Sequence, residues 1–128
     1  NQTFKTILSD ESLSEFSGLV CVAKHAHGTN SSQSNPNLLL SDNARALSRP
    51  QLRIDADDVE CAHGATMGQL NPDEIFYLES RGLSKSAAKS LLTFGFAQDI
   101  IQRISQPVIK DECETVLRES LNDYAKRK

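Results

Sequence analysis

The chain has 128 residues, enough for one domain with a real core or for a piece of something larger. A formal net charge of −3 argues against a surface built to neutralise phosphates, and 5% aromatic content without tryptophan argues against a stacking platform for nucleic acid. No apolar run approaches the roughly 18 residues of a membrane span, and the three cysteines Cys21, Cys61 and Cys113 form neither a CxxC pair nor an even disulfide framework, which fits a reducing compartment.

The sequence opens on Asn1-Gln2-Thr3 without a methionine, so a trimmed chain or the tail of a longer polypeptide is expected. Up to Gln69 the pattern has period two. Phe16, Gly18, Val20 and Val22 share one face if residues 15–22 are extended. His25 and His27 fall on one face of a further possible strand. The polar stretch 29–34 favours stacked coils, where such residues fit tight corners and line up between rungs, and Asn35-Pro36-Asn37 reads as a turn before the apolar residues 38–40. Leu52, Ile54 and Ala56 alternate with Arg53 and Asp55. Val59, Cys61, His63, Ala65 and Met67 alternate with Glu60, Ala62, Gly64 and Thr66. Short strands of this kind build a sandwich, a barrel or a β-helix, and the recurrent small polar stretches favour the last.

After Gln69 the signals turn helical. Asn71 is a good N-cap, Pro72 suits the first helical position, and Glu74 completes a capping-box-like pattern. This helix carries Ile75, Phe76 and Leu78 and is expected to stop at Gly82. Ser84 caps a second helix whose wide apolar arc runs from Ala87 through Leu91, Leu92 and Phe96 to Ile104, so burial on more than one side is expected. Gly95 in its middle costs about 1 kcal/mol relative to Ala, a cost that close backbone packing would offset. After Pro107 a third helix is expected over residues 108–124, with Ile109, Cys113, Val116, Leu117, Leu121 and Tyr124 in one stripe. Lys126-Arg127-Lys128 would suit the negative end of its dipole or form a solvated tail.

Three features invite chemistry. Cys61 and His63, two residues apart on a strand, would lie about 7 Å apart on one face. A thiolate and an imidazole so placed can share a soft metal or a sulfur species; equally, both can be interior residues. His25-x-His27 is how a cupin-type metal site begins, so a small metal-binding β-fold enzyme is the rival reading, although no acid follows within reach. Asp55, Asp57, Asp58 and Glu60 lack the spacing of an EF-hand loop and read as a solvated corner. Neither a phosphate-binding glycine loop nor a G-x-S-x-G elbow occurs, so no enzyme is expected.

Two blocks carry a resemblance. One is Asn35-Pro36-Asn37-Leu38-Leu39-Leu40-Ser41-Asp42-Asn43-Ala44-Arg45-Ala46, continuing through Pro50-Gln51-Leu52. The other is Ile54-Asp55-Ala56-Asp57-Asp58-Val59-Glu60-Cys61-Ala62-His63-Gly64-Ala65-Thr66-Met67-Gly68, followed by Phe76-Tyr77-Leu78 and Ser80-Arg81-Gly82. In order and spacing these resemble the C-terminal part of the SufB/SufD family from about Gly18 to Ile101. The Cys-x-His-Gly-Ala run is similar to the SufD-like branch, since SufB-like members carry an acid where His63 stands. Ser31-Ser32-Gln33 departs from the family in being more polar than the aromatic-containing segment common there.

The resemblance implies a mixed β-then-α chain: rungs of a right-handed parallel β-helix over residues 1–69 and a helical domain over 70–128. It implies a non-catalytic scaffold that pairs with SufB and docks the ATPase SufC during iron–sulfur cluster assembly, in bacterial cytoplasm or plastid stroma. His63, with Cys61, would meet the nascent cluster at the SufB interface, held transiently rather than as a resident cofactor. Ile75, Phe76, Leu91, Leu92 and Phe96 would mark the SufC docking region.

Overall fold

In the computed structural model, which describes residues 1–126, the chain runs through β1 (Gln2–Thr3), β2 (Thr6–Leu8), β3 (Leu13–Val22), β4 (Asn30–Leu39), β5 (Arg45–Ile54) and β6 (Glu60–Gly68). Three helices follow: α1 (Pro72–Ser80), α2 (Lys85–Ile101) and α3 (Pro107–Lys126). Strands come first and helices second. They fall into two compact units, one from Asn1 to Gln69 and one beginning at Leu70.

All strand pairs in the first unit are parallel, and the chain alternates between two sheets. The larger sheet holds β1, β2, β4 and β6; the smaller pairs β3 with β5. Residues pair with partners about thirty positions on: Gln2 with Gln33, Leu13 with Arg45, Asn30 with Glu60. On β3 the alternation read from sequence holds, with Phe16, Gly18 and Val20 partly shielded and Val22 buried. Leu8, Ala44 and Ala46 form an apolar cluster against which Leu39 packs. The Phe4 and Phe16 rings meet at 5.0 Å between centroids, joining the two sheets.

The segment Asn35-Pro36-Asn37 is not a turn but the middle of β4, and residues 30–34 are strand as well, aligned with residues of β1 and β6 and not placed at a corner. Proline is tolerated there because of what lies beside it. Phe4 N donates to Ser34 O (2.9 Å), so the next ladder bond would run from residue 36 to Phe4 O. Pro36 has no N–H to give. The neighbouring strand is interrupted at this level, between β1 and β2, and Asn35 Nδ2 donates to Phe4 O instead (2.8 Å). Asn37 Nδ2 in turn donates to Asn35 O, Asn35 Oδ1 and Thr66 O. The polar residues that suggested a turn are thus an interior hydrogen-bonding row, with Asn35 1% and Asn37 4% exposed.

His25 and His27 do not lie on a strand. The chain turns between β3 and β4, with Ala26 N donating to Ala23 O, Thr29 Oγ1 to Ala26 O and Gly28 at φ 71°. The acidic stretch is the corner expected of it, exposed and bent, with Asp58 at φ 53°.

In the second unit, Asn71 Oδ1 accepts from Asp73 N (2.9 Å) and Ser84 Oγ from Ala87 N (3.2 Å), as the capping residues predict. No bond from Glu74 back to Asn71 accompanies the first cap, so among the described residues the reciprocal half of the capping box is not made. α1 ends before Gly82, whose φ of 95° is the left-handed conformation glycine adopts freely. α2 packs against both α1 and α3, in keeping with its wide apolar arc. It stops at Ile101, short of Ile104. A methyl group on Gly95 would meet nothing within 4 Å, so close packing is not why glycine stands there. Arg118 on α3 lies over the Phe94 ring at 4.1 Å, and Cys113, Leu117, Leu121 and Tyr124 are half-buried while Ile109 and Val116 are exposed. Of the terminal basic residues, Lys126 closes α3, and Arg127 and Lys128 lie outside the described residues.

Candidate functional site

β6 is paired with β4 along its whole length, from Asn30–Glu60 to Leu38–Gly68, and among the described residues it is an edge strand. Parallel pairing puts registered residues on one face of the sheet. Cys61 therefore stands beside Ser31, His63 beside Gln33, Ala65 beside Asn35 and Met67 beside Asn37. On β4 this face is sealed, with Gln33 only 3% exposed. On β6 it is open: His63 is exposed, Met67 is 53% exposed and Cys61 is half-buried. The alternation of β6 was legible in sequence, but its face is an accessible one and not a core.

Strand geometry brings Cys61 and His63 together on that face, about 7 Å apart along the chain. They offer one thiol and one imidazole, fewer donors than the four of a closed metal or cluster site. Among the described residues, no group of three or more His, Cys, Asp and Glu side chains lies close enough to hold a metal ion. Any soft metal or cluster at this edge would have to draw its other ligands from elsewhere.

Among the described residues, His25 and His27 are not brought together with a carboxylate or a third histidine in a group that could hold a metal ion. His27 Nδ1 instead donates to the Asp57 carbonyl oxygen at 3.1 Å, tying one corner to the next. The cupin-type constellation is not assembled.

The helical candidates separate. Ile75 is buried at 8%, Leu92 and Phe96 are half-buried, and Phe76 and Leu91 are exposed at 72% and 49%. Leu91 and Leu92 help to line an open groove between α1 and α2 together with Asp73, Glu74, Tyr77 and Leu78. The α1 residues of that groove were not read as docking residues in sequence, although 73, 74, 77 and 78 have the i, i+4 spacing of one helix face. Also unread was Gln33. Its position beside His63 follows from a register about thirty residues long, which no local pattern discloses.

Residues 1–96 match the family model described as SUF system FeS cluster assembly, SufBD core domain. The chain is 40% identical over 111 residues to the iron–sulfur cluster assembly protein SufD of Escherichia coli, covering 87% of this chain and 26% of that protein. It is 47% identical over 104 residues to an iron–sulfur cluster assembly SufBD family protein of Synechocystis, covering 81% of this chain and 23% of the relative. It is also 36% identical over 97 residues to a chloroplastic protein of Arabidopsis thaliana, ABCI7, covering 76% and 20%. The chain thus spans about a quarter of the length of the curated relatives it matches. With the match running through all six strands and the Cys61–His63 edge, this chain belongs to the SufBD family of iron–sulfur cluster assembly proteins.

Proposed function

We propose that this chain is the C-terminal part of a SufD-type scaffold, itself non-catalytic, on which an iron–sulfur cluster is built and from which it is released. In this reading the strands are the last rungs of a right-handed parallel β-helix. The parallel pairing at a repeat of about thirty residues, with the chain alternating between two sheets, supports it. So does the strong preference of parallel crossovers for the right hand.

SufB pairs along the open edge at β6 and completes the ligand set that Cys61 and His63 leave short. The cluster is cargo here. An imidazole donor holds iron less tightly than a further thiolate would, which suits a site that must hand its cluster on. The helices from Pro72 to Ile104 dock SufC, and ATP hydrolysis belongs to that partner. ATP-driven closure of the SufC pair would pull on the helical units, shift the SufB interface and open the ligands to iron and sulfur. The compartment is bacterial cytoplasm, or the stroma in a plastid-bearing host; the chloroplastic relative is in keeping with the second.

One observation carries the reading: in a chain of this family, a cysteine and a histidine stand side by side on an exposed edge strand. The test is co-purification of the full-length protein with SufB and SufC, comparing wild type with His63→Ala for reconstituted cluster content. Stable complexes whose loading collapses in the variant support the ligand role. Equal loading would reduce His63 to a packing residue and leave the scaffold reading in place. Failure to form the complex would overturn the scaffold reading itself.

A further inference from the structure

We propose that Gln33 is a positioning residue for His63, its side-chain carbonyl accepting a ring N–H and so fixing which imidazole nitrogen faces the cluster. The inference rests on the reading of His63 as a ligand and adds the residue that orients it.

Gln33 and His63 are registered neighbours on parallel strands, with side chains on the same face. Strands so paired lie about 4.8 Å apart, within reach of two side chains of this length. The Gln33 amide is held from its other side: Nε2 donates to Gln2 Oε1 at 3.2 Å, one strand over. Across the interior it rests on Gly18, where even a methyl group would lie 2.7 Å from both Nε2 and Oε1. Phe16, whose Cζ would be 2.8 Å from that methyl, borders the same space and offers no donor.

Among the described residues, this leaves Gln33 Oε1 buried without a hydrogen-bond partner. A buried acceptor left unsatisfied costs about 1–3 kcal/mol, so it favours any donor that can reach it. The imidazole one strand away carries such a donor. Among the described residues, no hydrogen bond engages the His63 ring. A rotation of this exposed side chain toward β4 would pair the two groups. With one ring nitrogen committed as a donor to Gln33, the other presents its lone pair, the arrangement by which ligating histidines are generally oriented.

The experiment uses the full-length protein labelled with ¹⁵N-histidine. Long-range ¹H–¹⁵N correlation spectra would be recorded for wild type, Gln33→Leu and Gln33→Glu. The proposal expects one dominant His63 tautomer in wild type, with well-separated ring-nitrogen shifts. In Gln33→Leu these should collapse toward the averaged values of a free imidazole, and Gln33→Glu, which restores an acceptor, should return the separation. Tautomeric averaging already present in wild type, or identical ring signals in wild type and Gln33→Leu, would overturn it. In the complex with SufB and SufC, Gln33→Leu should lower cluster affinity roughly 10- to 100-fold, with recovery in Gln33→Glu.

Two failures remain distinguishable. Loss of loading in His63→Ala with unchanged ring signals in Gln33→Leu keeps the ligand and discards the Gln33 bond. Unchanged loading in His63→Ala with altered ring signals in Gln33→Leu keeps the bond and discards the ligand.

Discussion

Asn35 donates its side-chain amide to the carbonyl oxygen of Phe4 at 2.8 Å, standing in for the backbone N–H that Pro36 lacks. The substitution is local and complete: one ladder bond is lost to a proline, and a side chain from the preceding residue replaces it. Asn35→Ala would leave Phe4 O unpaired and also remove the Oδ1 acceptor of Asn37. A loss of about 1–3 kcal/mol is expected, read as a fall in the unfolding midpoint. Pro36→Ala added to Asn35→Ala should recover part of that loss, because a backbone N–H then points at Phe4 O. Strictly additive effects of the two changes would show that the proposed replacement does not operate.

Gly18 and Gln33 are coupled by space and not by a bond. With a methyl on Gly18 only 2.7 Å from the Gln33 amide and 2.8 Å from Phe16 Cζ, Gly18→Ala must displace one of them. Overpacking of this kind costs about 1–3 kcal/mol. Shortening Gln33 to Ala in the same chain should relieve part of it, so the double variant should be less destabilised than the sum of the singles. A double-mutant cycle without coupling would point to Phe16, not Gln33, as the residue displaced.

The two cases mark where sequence reading succeeds and stops. Capping at Asn71 and Ser84, the end of α1 before Gly82 and the alternation of β3 are set by residues within a few positions of one another, and each was readable. The central stretch of β4 was not. Asn, Ser and Pro have low strand propensity, and what makes them strand is pairing with residues about thirty positions before and after. The same distance hid β1 and β2, which are too short to show a period. Cys61 and His63 were recognisable as a pair because strand alternation is local. That their face is open follows from β6 being the edge strand, a property of the assembled sheet.

His63 is exposed, so beyond the bond proposed to Gln33 it contributes little packing, and His63→Ala is expected to cost no more than the about 1–3 kcal/mol of one buried acceptor left unpaired. The contrast with its expected loss of cluster loading in the complex is the useful part. A full-length variant that is still fully folded at the assay temperature by thermal unfolding, together with low loading, would assign the defect to ligation. A lowered midpoint that accounts for the lost loading would mean that the side chain acts through packing.

The helical residues assigned to SufC docking divide in the same way by exposure. Ile75 is buried at 8%, and Ile75→Ala should cost about 2–5 kcal/mol in stability, so weakened SufC binding in that variant would say nothing about contact. Phe76 and Leu91 are 72% and 49% exposed, and Phe76→Glu and Leu91→Glu should fold normally. Should these side chains anchor SufC, each charge would be buried in the interface unpaired, and binding should fall at least about tenfold, or 1.4 kcal/mol. Titration calorimetry of SufC against the folded variants measures it. Wild-type affinity in Leu91→Glu would remove the groove between α1 and α2 from the docking surface, because Leu91 and Leu92 are its α2 wall. Wild-type affinity in Phe76→Glu alone would instead confine the contact to that groove, which Phe76 does not line.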